Sequence, residues 1–104
     1  MQLAETDAFH HWLSSLVDRR AAARVADRLK RASNGNLGDV KPVGSGVSEM
    51  RIDYGPGYRV YFFRRGKALV ILLCGGERKS QRADIVRAVR MKEEIEGSDQ
   101  DEAV

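Results

Sequence analysis

Alternation of apolar and polar positions is clearest from Val47 to Gly76, where VSEMRIDYGPGYRVYFFRRGKALVILLCGG reads as three strands and two tight turns. From Val47 to Asp53, residues Val47, Glu49, Arg51 and Asp53 fall on one side and Ser48, Met50 and Ile52 on the other. A strand of period 2 that buries one face would turn Met50 and Ile52 to the core, leaving Glu49 and Arg51 outward. In Tyr54-Gly55-Pro56-Gly57, proline presets φ for a turn's second position and glycine accepts the positive φ of its third, so a hairpin turn is predicted. Tyr58 to Arg64 is β-branched and aromatic, and Arg65-Gly66 ends it. Ala68 to Cys74 is apolar at every position, as suits a central strand covered on both faces. The three form an antiparallel meander.

The flanking segments follow the helical period. Thr6 suits an N-cap and Asp7 the positive end of a helix. Phe9, Trp12, Leu13 and Leu16 then recur at i, i+3, i+4 and i+7. Asp18 can cap a second helix to about Ala32, with the stripe Ala22, Val25, Ala26 and Leu29, small enough for the two helices to pair as a hairpin. Asn34-Gly35-Asn36 stops it. Residues 37–46 read as a connector entering the sheet around Val40 to Val43, and Met1 to Glu5 as a brief edge strand. Gly75-Gly76 permits a sharp exit and the close approach of another chain or ligand. Ser80 caps a final helix, Gln81 to Ile95, with Ile85, Ala88 and Val89 inward. The expectation is one α+β domain over residues 1–96, its helices on one side of an antiparallel sheet. Residues 97–104, acidic and without periodicity, read as a frayed, disordered tail.

Composition narrows the picture. At 104 residues the chain can bury a modest core without disulfide or metal staples. Its single Cys74 reads as a buried, inert thiol and fits a reducing cytoplasm. No signal peptide is expected, and the run from Ala68 to Cys74 is too short to cross a bilayer. The net charge of +3 hides an asymmetry: residues 1–92 carry 18 basic and 9 acidic side chains, whereas residues 93–104 carry 6 acidic and no basic ones. A basic body suggests a polyanionic partner, although an ordinary soluble surface would show the same balance.

Candidate chemistry is cationic. His10 and His11 are adjacent on a helix, diverge by about 100° and cannot share an ion, so neither a metal nor another cofactor is expected. No phosphate-binding loop, dinucleotide fingerprint or nucleophile elbow occurs. Arg51 and Arg59 sit on strands that hairpin pairing brings together. Lys79, Gln81 and Arg82 emerge where the last strand meets the final helix, and Lys41 could reach over the sheet. Guanidinium groups bind phosphate bidentately and stay charged, so this cluster suits a phosphodiester and its transition state. Tyr58, Tyr61 or Phe63 could stack on an unstacked base. Arg20, Arg24, Arg28 and Arg31 make a ridge on the second helix, either a solvated face or a footprint on phosphates or an acidic protein.

Three segments, FHHWLSSLVDRRAAARV, GNLGDVKPVGSGVSEMRIDYGPGYRVYF and ILLCGGERKSQRADI, resemble the addiction-module killer proteins of the HigB-like branch of the RelE/ParE toxin superfamily. The resemblance runs from about Phe9 to Ala88. It implies an N-terminal helical hairpin packed on a curved antiparallel sheet, and toxicity restrained by a small helix-turn-helix antitoxin. Many relatives cut mRNA on the ribosome without a metal, the RNA's own 2′-hydroxyl acting as nucleophile. By that resemblance Arg59 stabilises the phosphate, Arg51 is a cationic strand position, and Lys79 and Gln81 lie in the loop closing on the substrate. Relatives with a lysine pair on the first meander strand differ from this chain, which has Glu49 and Arg51 there. Arginine is a poor base, so Glu49 or Asp84 would have to take the proton. Two other functions stay open: a ParE-like toxin that binds DNA gyrase, and a non-toxic partner acting in promoter control.

Overall fold

A computed structural model describes the backbone of residues 1–103 and the side chains of residues 1–98. The chain runs β1 (Gln2–Glu5), α1 (Asp7–Ser14), α2 (Arg19–Ser33), β2 (Val40–Gly44), β3 (Val47–Ile52), β4 (Tyr58–Arg65), β5 (Leu69–Glu77), a 3-10 turn (Arg78–Ser80) and α3 (Gln81–Ala103). The strands form one sheet in the order β1-β5-β4-β3-β2. β2 to β5 are antiparallel neighbours, as the meander required, but β1 pairs with β5 in parallel. The class is therefore α+β with a mixed sheet, not a purely antiparallel one. A strand precedes the helices, and α1 packs on β5 while α2 packs on β1 and β3, so each helix docks on the sheet individually.

Both helix starts form as the capping residues dictate. Thr6 Oγ1 accepts from the Phe9 amide at 3.0 Å and donates to the Leu73 carbonyl at 2.6 Å, tying α1 to β5. Asp18 Oδ1 accepts from the Arg20 and Ala21 amides at 2.9 and 3.2 Å. These bonds satisfy amides that have no partner inside the helix.

Helices cover both faces of the sheet, not one. Phe9, Val25 and Leu29 close over Met50, Ile52, Val60, Phe62, Val70 and Leu72 on the α1–α2 face. On the other face α3, through Ile85, Ala88, Val89 and Ile95, covers Val47, Tyr61, Phe63, Ile71, Leu73 and Cys74. This explains why β4 is apolar without a break from Val60 to Phe63: successive side chains enter two different cores. It also explains Val47 and Glu49, expected outward and each only 1% exposed. α3 runs past Ile95 through Gly97 to Ala103. Glutamates are good helix formers, Lys92 pairs with Glu96 one turn on at 2.8 Å, and a single glycine costs only about 1 kcal/mol. Of the expected frayed tail, Val104 and the side chains from residue 99 lie outside the described residues.

Two glycines expected to end β5 instead lie within it. A Cβ on Gly75 would overlap the Trp12 ring, and one on Gly76 the Asp84 carboxylate. The close approach they permit is thus to the chain's own side chains, one on each face of the sheet. The Tyr54 turn closes by a 3.0 Å bond from the Gly57 amide to the Tyr54 carbonyl, which places Gly55, with φ of 54°, second and Pro56 third.

Candidate functional site

Arg51 and Arg59 are direct cross-strand partners on β3 and β4, so their side chains leave the sheet on the same face. They line an open cleft of about 360 Å³ with Arg78, Asp39, Asp53 and the Gly55-Pro56-Gly57 turn. The turn after β5 is fastened to that hairpin by the Arg78 amide, which donates to the Gly57 carbonyl at 2.8 Å. Gly57, with φ of 79°, keeps the cleft open: a Cβ there would stand 3.3 Å from the Arg78 Cβ and 3.8 Å from Arg59 Nη1. Three guanidinium groups face two carboxylates in this cleft.

Each strand arginine has a carboxylate beside it. Arg51 Nη2 donates to Asp39 Oδ1 at 2.9 Å across a half-exposed pair, and this bond raises the arginine pKa above its ordinary value. Arg59 is nearly enclosed, its side chain 13% exposed, with Nε 3.9 Å from Glu49 Oε1, too long for a hydrogen bond. Gln81 Nε2 donates to the other Glu49 oxygen at 2.8 Å. Nε of both Arg51 and Arg59 is buried without a hydrogen-bond partner. Tyr61 lies directly across from Glu49 and its buried hydroxyl is also unpartnered. Burial first, then the Glu49 charge, pushes that phenol well above its ordinary range.

The other expected residues divide around this centre. Gln81 stands behind Arg59, and Lys41 lies across from Glu49 on the edge strand, exposed. Lys79 and Arg82 are exposed but do not line the cleft, where Arg78 stands instead. Tyr58 enters the opposite core, edge-on to Trp12 with ring centroids 6.4 Å apart, and Tyr61 and Phe63 are buried under α3. None of the three offers a stacking face, because a two-sided sheet uses both rows of aromatics as core. Glu49 was a candidate base; buried behind Arg59, it does not border the cleft. Asp84 accepts from Ser80 Oγ at 2.6 Å and does not border it either.

The α2 ridge has two parts. Arg28 donates to the carbonyls of Arg51 at 2.5 Å, Leu37 at 3.2 Å and Asp39 at 3.4 Å, pinning the helix to the strands that carry the cleft. Arg24 stacks over the Tyr54 ring at 4.7 Å, and Arg31 pairs with Asp27. With Arg20, Ile52 and Asp53 these residues line a second open groove of about 610 Å³. Asp53 borders both depressions.

Arg78, Asp39 and Asp53 were not among the expected site residues. Asp53 had a signal, since alternation puts it on the Arg51 face. Asp39 had none, as its pairing with Arg51 spans the β2–β3 turn. Among the described residues no three His, Cys, Asp or Glu side chains cluster as metal ligands, and no helix is long and apolar enough to cross a membrane.

A Haemophilus influenzae protein described as uncharacterized is 45% identical over 95 residues, which cover 91% of this chain and 96% of that one. The chain belongs to that protein's family. No protein-family model matches the chain, and no solved structure does. The relative's description names no activity, so function must be argued from the cleft itself.

Proposed function

We propose that the chain is the toxin of a type II toxin–antitoxin system, a metal-independent mRNA endoribonuclease of the RelE/ParE kind working in the cytoplasm. The observation that carries this reading is the pairing of Arg51 with Arg59 across β3 and β4 in an open cleft that Arg78 completes. Such an arrangement can hold a phosphodiester and offset the charge that grows on its oxygens during in-line attack by the neighbouring 2′-hydroxyl. Glu49 and Gln81 act as positioning residues, fixing Arg59 from behind. A helix-turn-helix antitoxin would occupy the cleft with an acidic segment, giving an association that weakens as salt rises.

The test is cleavage of an mRNA, mapped by primer extension, in a translating extract and free in solution. Arg78→Ala and Arg51→Ala, both at solvent-accessible positions, should lower the rate about 100-fold or more and relieve growth arrest while the protein still folds. Unchanged cleavage and toxicity in both would refute the reading. Two observations favour a second reading, a ParE-like toxin that binds DNA gyrase: Arg51 is already paired with Asp39, and the expected base, Glu49, is buried. A gyrase poison would block supercoiling in vitro and leave translation of a supplied mRNA untouched.

A further inference from the structure

A base is required in the cleft only if the nuclease reading holds, since cleavage through a 2′-hydroxyl needs a group that takes its proton. Around the cleft, the candidates are otherwise engaged. Glu49 is buried and held by Gln81, Asp39 is bound to Arg51, and Asp84 accepts from Ser80. Tyr61 is enclosed, and burial holds its phenol protonated. His10 lies beside Glu5 at 3.7 Å, on the helix that packs on β5, and no imidazole lines the cleft.

Asp53 is different. It lines the cleft, is exposed, and among the described residues its side chain makes no hydrogen bond or ion pair. Two residues past Arg51, it continues that arginine's face. Extending the β3–β4 register one step beyond Ile52 and Tyr58 sets it across from Gly57, which contributes no side chain and lets Arg78 and Arg59 approach closely over the turn. A carboxylate repels phosphate, so phosphate binding does not account for it. It stabilises no ion pair, so neither does folding.

We propose that Asp53 is the general base of the cleft. Its carboxylate accepts the proton of the 2′-hydroxyl, and the freed oxygen pair forms a bond to the adjacent phosphorus. The bond from phosphorus to the 5′-oxygen breaks, and that oxygen takes a proton from water. The products are a 2′,3′-cyclic phosphate and a 5′-hydroxyl. The water regains its proton from the protonated Asp53, so no oxidant, reductant or further reactant is consumed. Arg51, Arg59 and Arg78 hold the phosphate and its transition-state charge meanwhile.

The experiment compares single-turnover cleavage of one mRNA by the wild-type chain, Asp53→Asn and Asp53→Glu, in a reconstituted translation mixture and free. Binding is measured on the same RNA with 2′-O-methyl groups throughout, which cannot be cut. Asp53→Asn should slow cleavage about 100-fold or more, the usual worth of a positioned base, and leave binding within threefold. Asp53→Glu should recover part of the rate, and added formate should restore part of it to Asp53→Gly. Cleavage by Asp53→Asn within threefold of wild type overturns the assignment, as does an unchanged rate at altered sites. That result would leave the nuclease reading standing. A wild-type chain that cuts the unmodified mRNA under neither condition overturns both.

Discussion

One sheet presents two faces built on different terms. Toward α1 and α2 it shows Met50, Ile52, Val60, Phe62, Val70 and Leu72, an apolar layer sealed by Phe9, Val25 and Leu29. Toward α3 the same strands begin as core, with Val47, Phe63 and Leu73, and then give way to Glu49, Arg59 and the Tyr61 hydroxyl. Packing alone explains the first face, where each fully buried large side chain contributes about 1.5–3 kcal/mol. It does not explain the second, because removing a carboxylate from water is costly unless a cation and hydrogen bonds compensate. Glu49 has both, a guanidinium at 3.9 Å and the Gln81 amide at 2.8 Å, and the structure they maintain stands at the cleft wall. Burial on one face serves stability, and on the other it holds a cation in position.

The largest effects should separate the faces by what rescues them. Phe62→Ala, on the apolar side, should cost about 4 kcal/mol by leaving a cavity that no second polar change repairs. Arg59→Ala should cost about 3 kcal/mol for another reason: it leaves the Glu49 charge buried with Gln81 as its remaining partner. Adding Glu49→Gln should then recover at least half of the loss in urea unfolding, and should recover nothing in the Phe62→Ala background. Equal behaviour of the two backgrounds would mean that Glu49 does not depend on the Arg59 guanidinium.

Gly75 and Gly76 sharpen the contrast, since one alanine scan reaches both faces. At Gly75 a methyl meets the Trp12 ring, which is itself fixed against Phe9 at 5.7 Å and against Tyr58, so relief needs a shift of α1. At Gly76 it meets the end of Asp84, a carboxylate that can swing off Ser80. Gly75→Ala is therefore expected to cost about 3 kcal/mol and Gly76→Ala about 1 kcal/mol, with thermal melts as the check. The opposite ranking would show that the polar face is the stiffer one.

The elements themselves were legible because each has a local cause. Thr6 and Asp18 are caps, Phe9 to Leu16 keep the helical period, and β3 to β5 are divided by glycine-bearing turns. What could not be read was which face each element covers. An alternating strand such as β3 is consistent with one buried face, and only α3, more than thirty residues away, turns Val47 and Glu49 into interior residues. The same long-range step removed Tyr61 and Phe63 from the surface, and packing against Trp12 of α1 removed Tyr58. The Arg51–Arg59 pair followed from hairpin register and was foreseeable. Asp39 and Arg78 were not, since the first reaches the cleft by folding back along the β2 side and the second through a single bond to Gly57.

The smallest effect is one of pH, and it too belongs to the α3 face. Burial pushes the Cys74 thiol up to about 11 from its usual value of 9.0, with Asp84 adding to the rise and Arg87 opposing it. A folded pKa above the unfolded one means that folding favours the protonated thiol. The resulting stability is complete below pH 9 and disappears as pH rises toward 11. Between pH 8 and 10 this group should therefore remove about 1 kcal/mol of unfolding free energy. Urea titrations at both pH values should show that loss in the wild-type chain and a smaller one in Cys74→Ala. Tyr61 and Tyr58 are raised by burial too but start from 10.0, so most of their share comes at higher pH and the part that falls below pH 10 remains in Cys74→Ala. If Cys74→Ala loses as much as the wild type, water reaches the thiol and the core beneath α3 is looser than the one beneath α1 and α2.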